Sequence, residues 1–456
     1  MRSICFAPSI FIAVSIRLAF LAISTAHGQD PSLSPLSDWL SGDGITGTWG
    51  GFRSQLADRG FEFAGSYDAE GWGNMRGGLE SGTVYTGLLD FGLKLDLEKA
   101  FGWRGASLST TWLLLSGKDA SEDLVGNFLT ISNNAGFDTL RNYELWFQQN
   151  LLDDKISIRL GQLAADTEFV ISDYAALFLN GTFGWPAFMY RNIPEGGPGF
   201  PVGTLGMRLA IQPVQWFRFQ SAVFQGNVYA QNVNLHGFRW RLDSQNGFFF
   251  LEEAQFHWNH QAEETGLAGQ LKAGAWFHTA EFAEANGSGF VRGNCGFYFI
   301  LDQLLYREPP KAAVNPATVG KDGKSALSDT PERAPEKKSD QGLGWFGRIA
   351  FEPQDRNFIG FYFDTGLTYK GLVPSRNADT LGVAFAYAQL SSGAQQAAID
   401  AGSVGVGAEM ALEITYQAQI TKSLSIQPDL QIILNPGGNQ DLKNALVIGG
   451  RVSITF

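Results

Sequence analysis

From Phe61 to the end of the chain, apolar residues return at every second position, and this period of two decides what the chain can become. In Ala445–Phe456, Leu446, Ile448, Val452, Ile454 and Phe456 share one parity, with Gly450 the only gap. Val447, Gly449, Arg451, Ser453 and Thr455 take the other. Side chains alternate across a strand, so the segment has one oily face and one wettable face. The pattern recurs at Phe61–Glu70, Tyr143–Gln148, Ile156–Gly161, Leu205–Gln212, Leu271–His278, Ile359–Tyr369, Leu412–Ile420 and Leu424–Leu434. The count reaches about sixteen segments of roughly 9–12 residues, an even number and the length of a tilted membrane strand.

The connections alternate in length. Leu151–Lys155, Gln212–Gln215 and Thr421–Lys422 are short; Asp119–Asp138, Asp173–Gly203, Tyr229–Asn246 and Ser391–Gly407 are long. Short turns on one rim and long loops on the other are the layout of an outer-membrane barrel. A soluble sandwich would bury the oily parity between two sheets and has no need of this alternation. The expected fold is therefore all-β, a transmembrane antiparallel β-barrel of about sixteen strands, preceded by a short N-terminal helical segment.

Composition supports this reading. Charged residues are only 17% of the 456, while Phe 36, Trp 12 and Tyr 12 suit strands and aromatic borders. Residues 1–28 read as an export signal, with Arg2 before the apolar run Phe11–Ile23 and small residues at Ser24–Gly28. Residues 29–60 form an N-terminal periplasmic segment, with a short helix expected over Gly51–Arg59. The barrel spans 61–456, interrupted by a Pro- and Lys-rich insertion at 307–340 that is expected to be disordered. Strand counting puts that insertion on the short-turn, periplasmic rim. The formal net charge of −12 argues against nucleic acid as a partner. With Cys5 in the export signal, Cys295 has no partner for an intrachain disulfide.

If the oily parity faces lipid, the other lines a water-filled lumen. Its charges are mixed. Arg159, Arg208, Arg218, Lys272, Arg348 and Arg451 stand against Asp68, Glu70, Glu144, Glu253, Asp302, Asp364, Glu413 and Asp429. Trp146, Trp216 and Trp276 share their parity. Such a lining suits neutral, hydroxyl-rich solutes better than one ion sign. The third long loop, with Phe183, Trp185, Phe188, Tyr190 and Arg191, is the expected constriction. No HExxH, GxSxG or glycine-rich phosphate loop occurs, so no catalytic, cofactor or metal residues are assigned.

Particular motifs carry a family resemblance. Thr46–Gly60 (TGTWGGFRSQLADRG), Ile158–Phe169 (IRLGQLAADTEF), Gly296–Pro309 (GFYFILDQLLYREP), Phe346–Asn357 (FGRIAFEPQDRN), Thr368–Tyr387 and Leu424–Gly438 resemble the carbohydrate-selective porin family, the OprB-like porins. The resemblance runs from about Trp39 to Phe456. It implies a sixteen-stranded porin of the bacterial outer membrane. Small carbohydrates would cross it by facilitated diffusion, without energy source, cofactor or chemical step. Phe456 looks like the signal that such barrels present to the barrel-assembly machinery. The 307–340 insertion and Cys295 depart from the pattern. A general porin of low selectivity, or one for another neutral nutrient, stays open as the alternative, and so does homotrimer assembly.

Overall fold

The computed structural model describes residues 44–456, apart from 244, 262, 263, 265 and 310–338. The export-signal assignment and nearly all of the 307–340 insertion lie outside the described residues. Sixteen antiparallel strands, each bonded to its sequence neighbours, close into a barrel where β1 (Phe61–Gly78) meets β16 (Lys443–Thr455). Closure leaves no free strand edge, so the wall's backbone groups pair within it and can face hydrocarbon.

The first half continues with β2 (Gly82–Asp96), β3 (Ala106–Gly117), β4 (Thr139–Leu151), β5 (Ile156–Leu163), β6 (Thr204–Val214), β7 (Phe217–Gln225) and β8 (Phe248–Trp258). The second half comprises β9 (Gly269–Ala283), β10 (Phe290–Arg307), β11 (Gly342–Phe351), β12 (Ile359–Lys370), β13 (Thr380–Leu390), β14 (Ala408–Thr421) and β15 (Leu424–Leu434). The oily parity faces outward. Leu160, Met207, Leu367, Ile414, Ile426 and Ile448 are all exposed on the outer wall, whereas their neighbours Asp364, Glu413 and Val447 are buried inside.

Long and short connections segregate to opposite rims. The rim that holds Phe456 carries residues 152–155, 215–216 and 422–423; the other carries 118–138, 164–203, 226–247 and 391–407. The insertion joins β10 to β11 on the Phe456 rim. Its stem is fixed there by the Glu308 amide donating to the Gln341 carbonyl, 3.0 Å, and by Lys370 on Asp340, 2.6 Å. A helix, α1 (Phe52–Asp58), lies against β1 at the same rim, where Arg53 donates to the Phe63 carbonyl.

The third long loop begins at residue 164, nine positions before the Asp173 start expected from polarity, because β5 ends at Leu163. It turns into the barrel rather than standing outside it. An apolar core forms between this loop and the inward face of β10–β13. Phe178 and Phe183 pack on Phe346, while Phe188 packs on Tyr298 and Tyr362. The wall makes room with small residues: Ala384, Ala386 and Ala388 line the inward face of β13. A Cβ on Gly382 would stand 2.6 Å from Leu177 and 2.8 Å from Phe178, so only glycine admits the loop so close. On this side the inward parity meets protein instead of water.

Candidate functional site

A long segment inside a barrel carries many backbone N–H and C=O groups that need partners. The inward charges and amides of successive strands supply them. The Ala164 amide donates to Glu144 of β4, 3.2 Å. Gln220 of β7 donates to the Glu168 carbonyl at 2.7 Å, and the Val170 amide donates to Glu253 of β8 at 3.1 Å. Lys272 of β9 donates to the Ile171 carbonyl, 2.7 Å. On β10, Asp302 accepts from the Ser172 hydroxyl and from the Asp173 amide, the latter at 3.1 Å. On β14, Glu413 accepts the Leu179 and Asn180 amides at 2.6 and 3.0 Å, while Gln427 of β15 donates to the Leu177 carbonyl at 2.8 Å.

Arg348 of β11 is fully buried and makes the largest number of these contacts. It forms a bidentate pair with Asp364 of β12, with Nη2 at 2.6 Å, and donates to the Thr182 and Val170 carbonyls at 2.9 and 3.3 Å. Asp364 also accepts the Tyr362 hydroxyl at 2.5 Å. Asp429 lies next to this ring and accepts from Gln431, 3.0 Å.

The neighbouring wall, β1, β16 and β14, holds the 118–138 loop in the same way. Glu70 accepts from Ser132 at 2.6 Å, and Asp68 accepts from Asn134 at 2.8 Å. Arg451 bonds Glu70 at 2.5 Å and also reaches Asn133. Glu409, which the sequence reading did not single out, accepts the Phe128 and Leu129 amides at 3.0 and 2.6 Å.

These placements correct the expected lumen lining. Glu70, Glu253, Asp302, Arg348, Asp364, Glu413 and Asp429 are buried and occupied with wall and loop groups, so they do not face a passing solute. Trp276 is likewise buried, and Trp216 sits 58% exposed at the turn between β6 and β7. The expected constriction shifts too. Phe183 and Phe188 belong to the apolar core, and Trp185 is tied within its own loop to the Gly196 carbonyl, 2.9 Å. Arg191 stacks over Phe358 at 4.6 Å on the wall of an outer chamber.

Among the described residues, two large chambers lie inside the barrel. The upper one, about 1200 Å³, lies among the long loops; the lower one, about 510 Å³, lies toward the short-turn rim. The loop segment 166–173 divides them. Asp166 and Ser172 face the upper chamber, Thr167, Glu168 and Asp173 face the lower, and Ile171 borders both. Charge inverts across this partition. Six carboxylates and four cationic side chains line the upper chamber; three carboxylates and five cationic side chains line the lower.

Glu168 organises the lower chamber. Both Arg159 and Arg208 form ion pairs with it, and Gln148 accepts from both, at 3.0 and 3.1 Å. Arg159 lies over the Trp146 ring at 3.9 Å, and Arg218 stands beside them on the chamber wall. The result is a patch of fixed donors, one of them braced on a buried aromatic ring. Glu168 escaped the sequence reading because the loop was taken to start after it.

Comparison with known proteins places these features in context. The family model described as "Carbohydrate-selective porin, OprB family" matches residues 80–456. The chain is similar to Porin B of Pseudomonas aeruginosa, 23% identical over 471 residues, covering 95% of this chain and 94% of that protein. It is also similar to the putative porin QuiX of Acinetobacter baylyi, 23% identical over 436 residues, with coverage of 92% and 93%. Among solved structures, the high-pH form of Pseudomonas putida OprB superposes with a TM-score of 0.76 at 21% identity. That match covers 92% of this chain and 100% of the other.

Proposed function

Since this chain belongs to the OprB family of carbohydrate-selective porins, we propose that its sugars cross by stepping from the upper to the lower chamber past the backbone of residues 166–173. The protein is an outer-membrane porin that passes small carbohydrates, and its family is one of channels rather than enzymes. The division of the lumen by that segment into two polar chambers is the observation that carries the proposed route.

In this reading the lower chamber is the selective station. Arg159, Arg208 and Arg218 donate to sugar hydroxyls, Glu168 and Gln148 accept from them, and the Arg159 guanidinium, held flat on the buried Trp146 ring, offers a planar surface to the pyranose ring. Each contact replaces a sugar–water hydrogen bond. The net gain per bond is about 1 kcal/mol, enough to slow a sugar without trapping it. Anchors such as Glu253, Asp302, Arg348 and Glu413 set the bore and do not touch the sugar. Passage is passive and needs no chemical step. For assembly, we propose that the barrel-assembly machinery recognises the terminal Phe456 and that the barrels form homotrimers; cross-linking in intact outer membranes tests both.

The test uses purified protein in planar bilayers and liposomes. Millimolar glucose is expected to reduce single-channel conductance, and Arg159→Gln with Arg208→Gln to weaken that block. Equal swelling rates for sugars and zwitterions of the same size would overturn selectivity at this station and favour a general pore.

A further inference from the structure

In β4 the alternation fails at one place. Thr111 of β3 pairs with Glu144, but Trp112 pairs with Asn142, so Tyr143 is an extra residue, a bulge. Past the bulge the parity of β4 reverses. Leu140 faces outward, and Arg141, which the period of two would send toward lipid, turns inward opposite Leu113. Bulges of this kind re-aim a side chain.

The re-aimed group is unusual. Arg141 borders the upper chamber and is 0% exposed, yet Nε, Nη1 and Nη2 all lack a hydrogen-bond partner among the described residues. The Phe137 ring lies 5.0 Å from the guanidinium carbon. A buried guanidinium with five donors and no acceptor carries a heavy desolvation penalty, and fixed arginines of this kind match planar carboxylates bidentately. The nearby acids do not fill the role. Asp138 accepts the Gly117 amide at 2.8 Å, and Asp166 accepts the Tyr143 hydroxyl and the Phe200 amide at 2.6 and 2.7 Å.

We propose that Arg141 is the anchor of a binding site for the carboxylate of an acidic sugar, a uronic or aldonic acid, in the upper chamber. The carboxylate pairs with the guanidinium after displacing the partly exposed Phe137 ring from the chamber wall. The acidic lining around it disfavours a bare small anion but accepts hydroxyl donors. A solute that brings both a carboxylate and a polyol therefore fits where chloride or acetate does not. This inference rests on the passage of sugars proposed above, and it adds a solute class for the chamber that a sugar meets before the partition.

The test is current block in planar bilayers by D-glucuronate, D-glucose and acetate added from the side of the long loops. In the unaltered protein, half-block by glucuronate is expected at a concentration about tenfold below that for glucose, the gain of one charge-assisted contact. Arg141→Met is expected to abolish the difference and leave glucose block intact, while Arg141→Lys retains part of it. Equal block by glucuronate and glucose in the unaltered protein would overturn the site, as would an Arg141→Met channel that still prefers glucuronate. Acetate blocking as well as glucuronate would reduce the site to a simple anion site and overturn its assignment to sugar acids. Loss of glucose block with glucuronate block retained would instead count against the lower-chamber station alone.

Discussion

Replacing Arg348 by Met separates what this arginine does for the wall from what it does for the loop. The guanidinium pairs with Asp364 across the β11–β12 register and holds the Thr182 and Val170 carbonyls. Removing it strands a fully buried carboxylate, which costs about 3–5 kcal/mol when one partner of such a pair is lost. Arg348→Met with Asp364→Asn removes that unpaired charge and leaves only the two lost carbonyl tethers, a cost of about 1–3 kcal/mol. The double variant should therefore unfold at higher urea than Arg348→Met, read by tryptophan fluorescence in detergent micelles. Both variants should be cleaved faster within residues 164–203 by an added protease. A double variant no more stable than the single would refute the stranded-charge argument. Undiminished protease resistance in both would refute the anchoring role.

Two further outcomes follow from the chamber walls. Glu168→Gln removes the negative charge shared by Arg159 and Arg208, so the reversal potential in a potassium chloride gradient should move toward that of chloride; an unmoved potential would remove Glu168 from the conduction path. Burial pushes the Asp166 carboxyl from 3.8 up to about 6, with bonds from the Tyr143 hydroxyl and the Phe200 amide opposing the rise. The folded protein thus holds this proton more tightly than the unfolded chain. The contribution of Asp166 is full below about pH 4 and is lost as pH rises through about 6. Protease resistance of the 164–203 loop should fall across that window, and Asp166→Asn should flatten the fall. Because Asp166 is partly exposed to the upper chamber, the change is expected to be small; a rise in resistance with pH would contradict the sign.

The wall was legible in the sequence because its rule is local. A strand with lipid outside and polar groups inside writes a period of two into its own residues, and loop lengths report which rim a connection occupies. The use of the inward charges was not legible. Whether Glu413 meets water or the Leu179 and Asn180 amides depends on a loop more than two hundred residues away in the chain. One signal was present. Tyr298 and Ile300 of β10 are apolar on the inward parity while Phe297 and Phe299 are apolar outward, and a strand that is oily on both faces is covered on both. The inversion at Tyr143 was out of reach, since a bulge is set by pairing with β3 and not by β4 alone.

The anchoring of the 164–203 loop has a consequence for how such a channel can vary. Its tethers are spread over strands β4, β7 to β11, β14 and β15, so no single strand decides the path of the loop. Of the lower-chamber side chains, Arg159 and Arg208 also hold the loop through Glu168, whereas Arg218 makes none of these tethers. Substitutions at Arg218 can retune which solute is slowed while the bore keeps its dimensions. Gauge and taste are inherited separately: one scaffold can be fitted to a new nutrient without first being rebuilt.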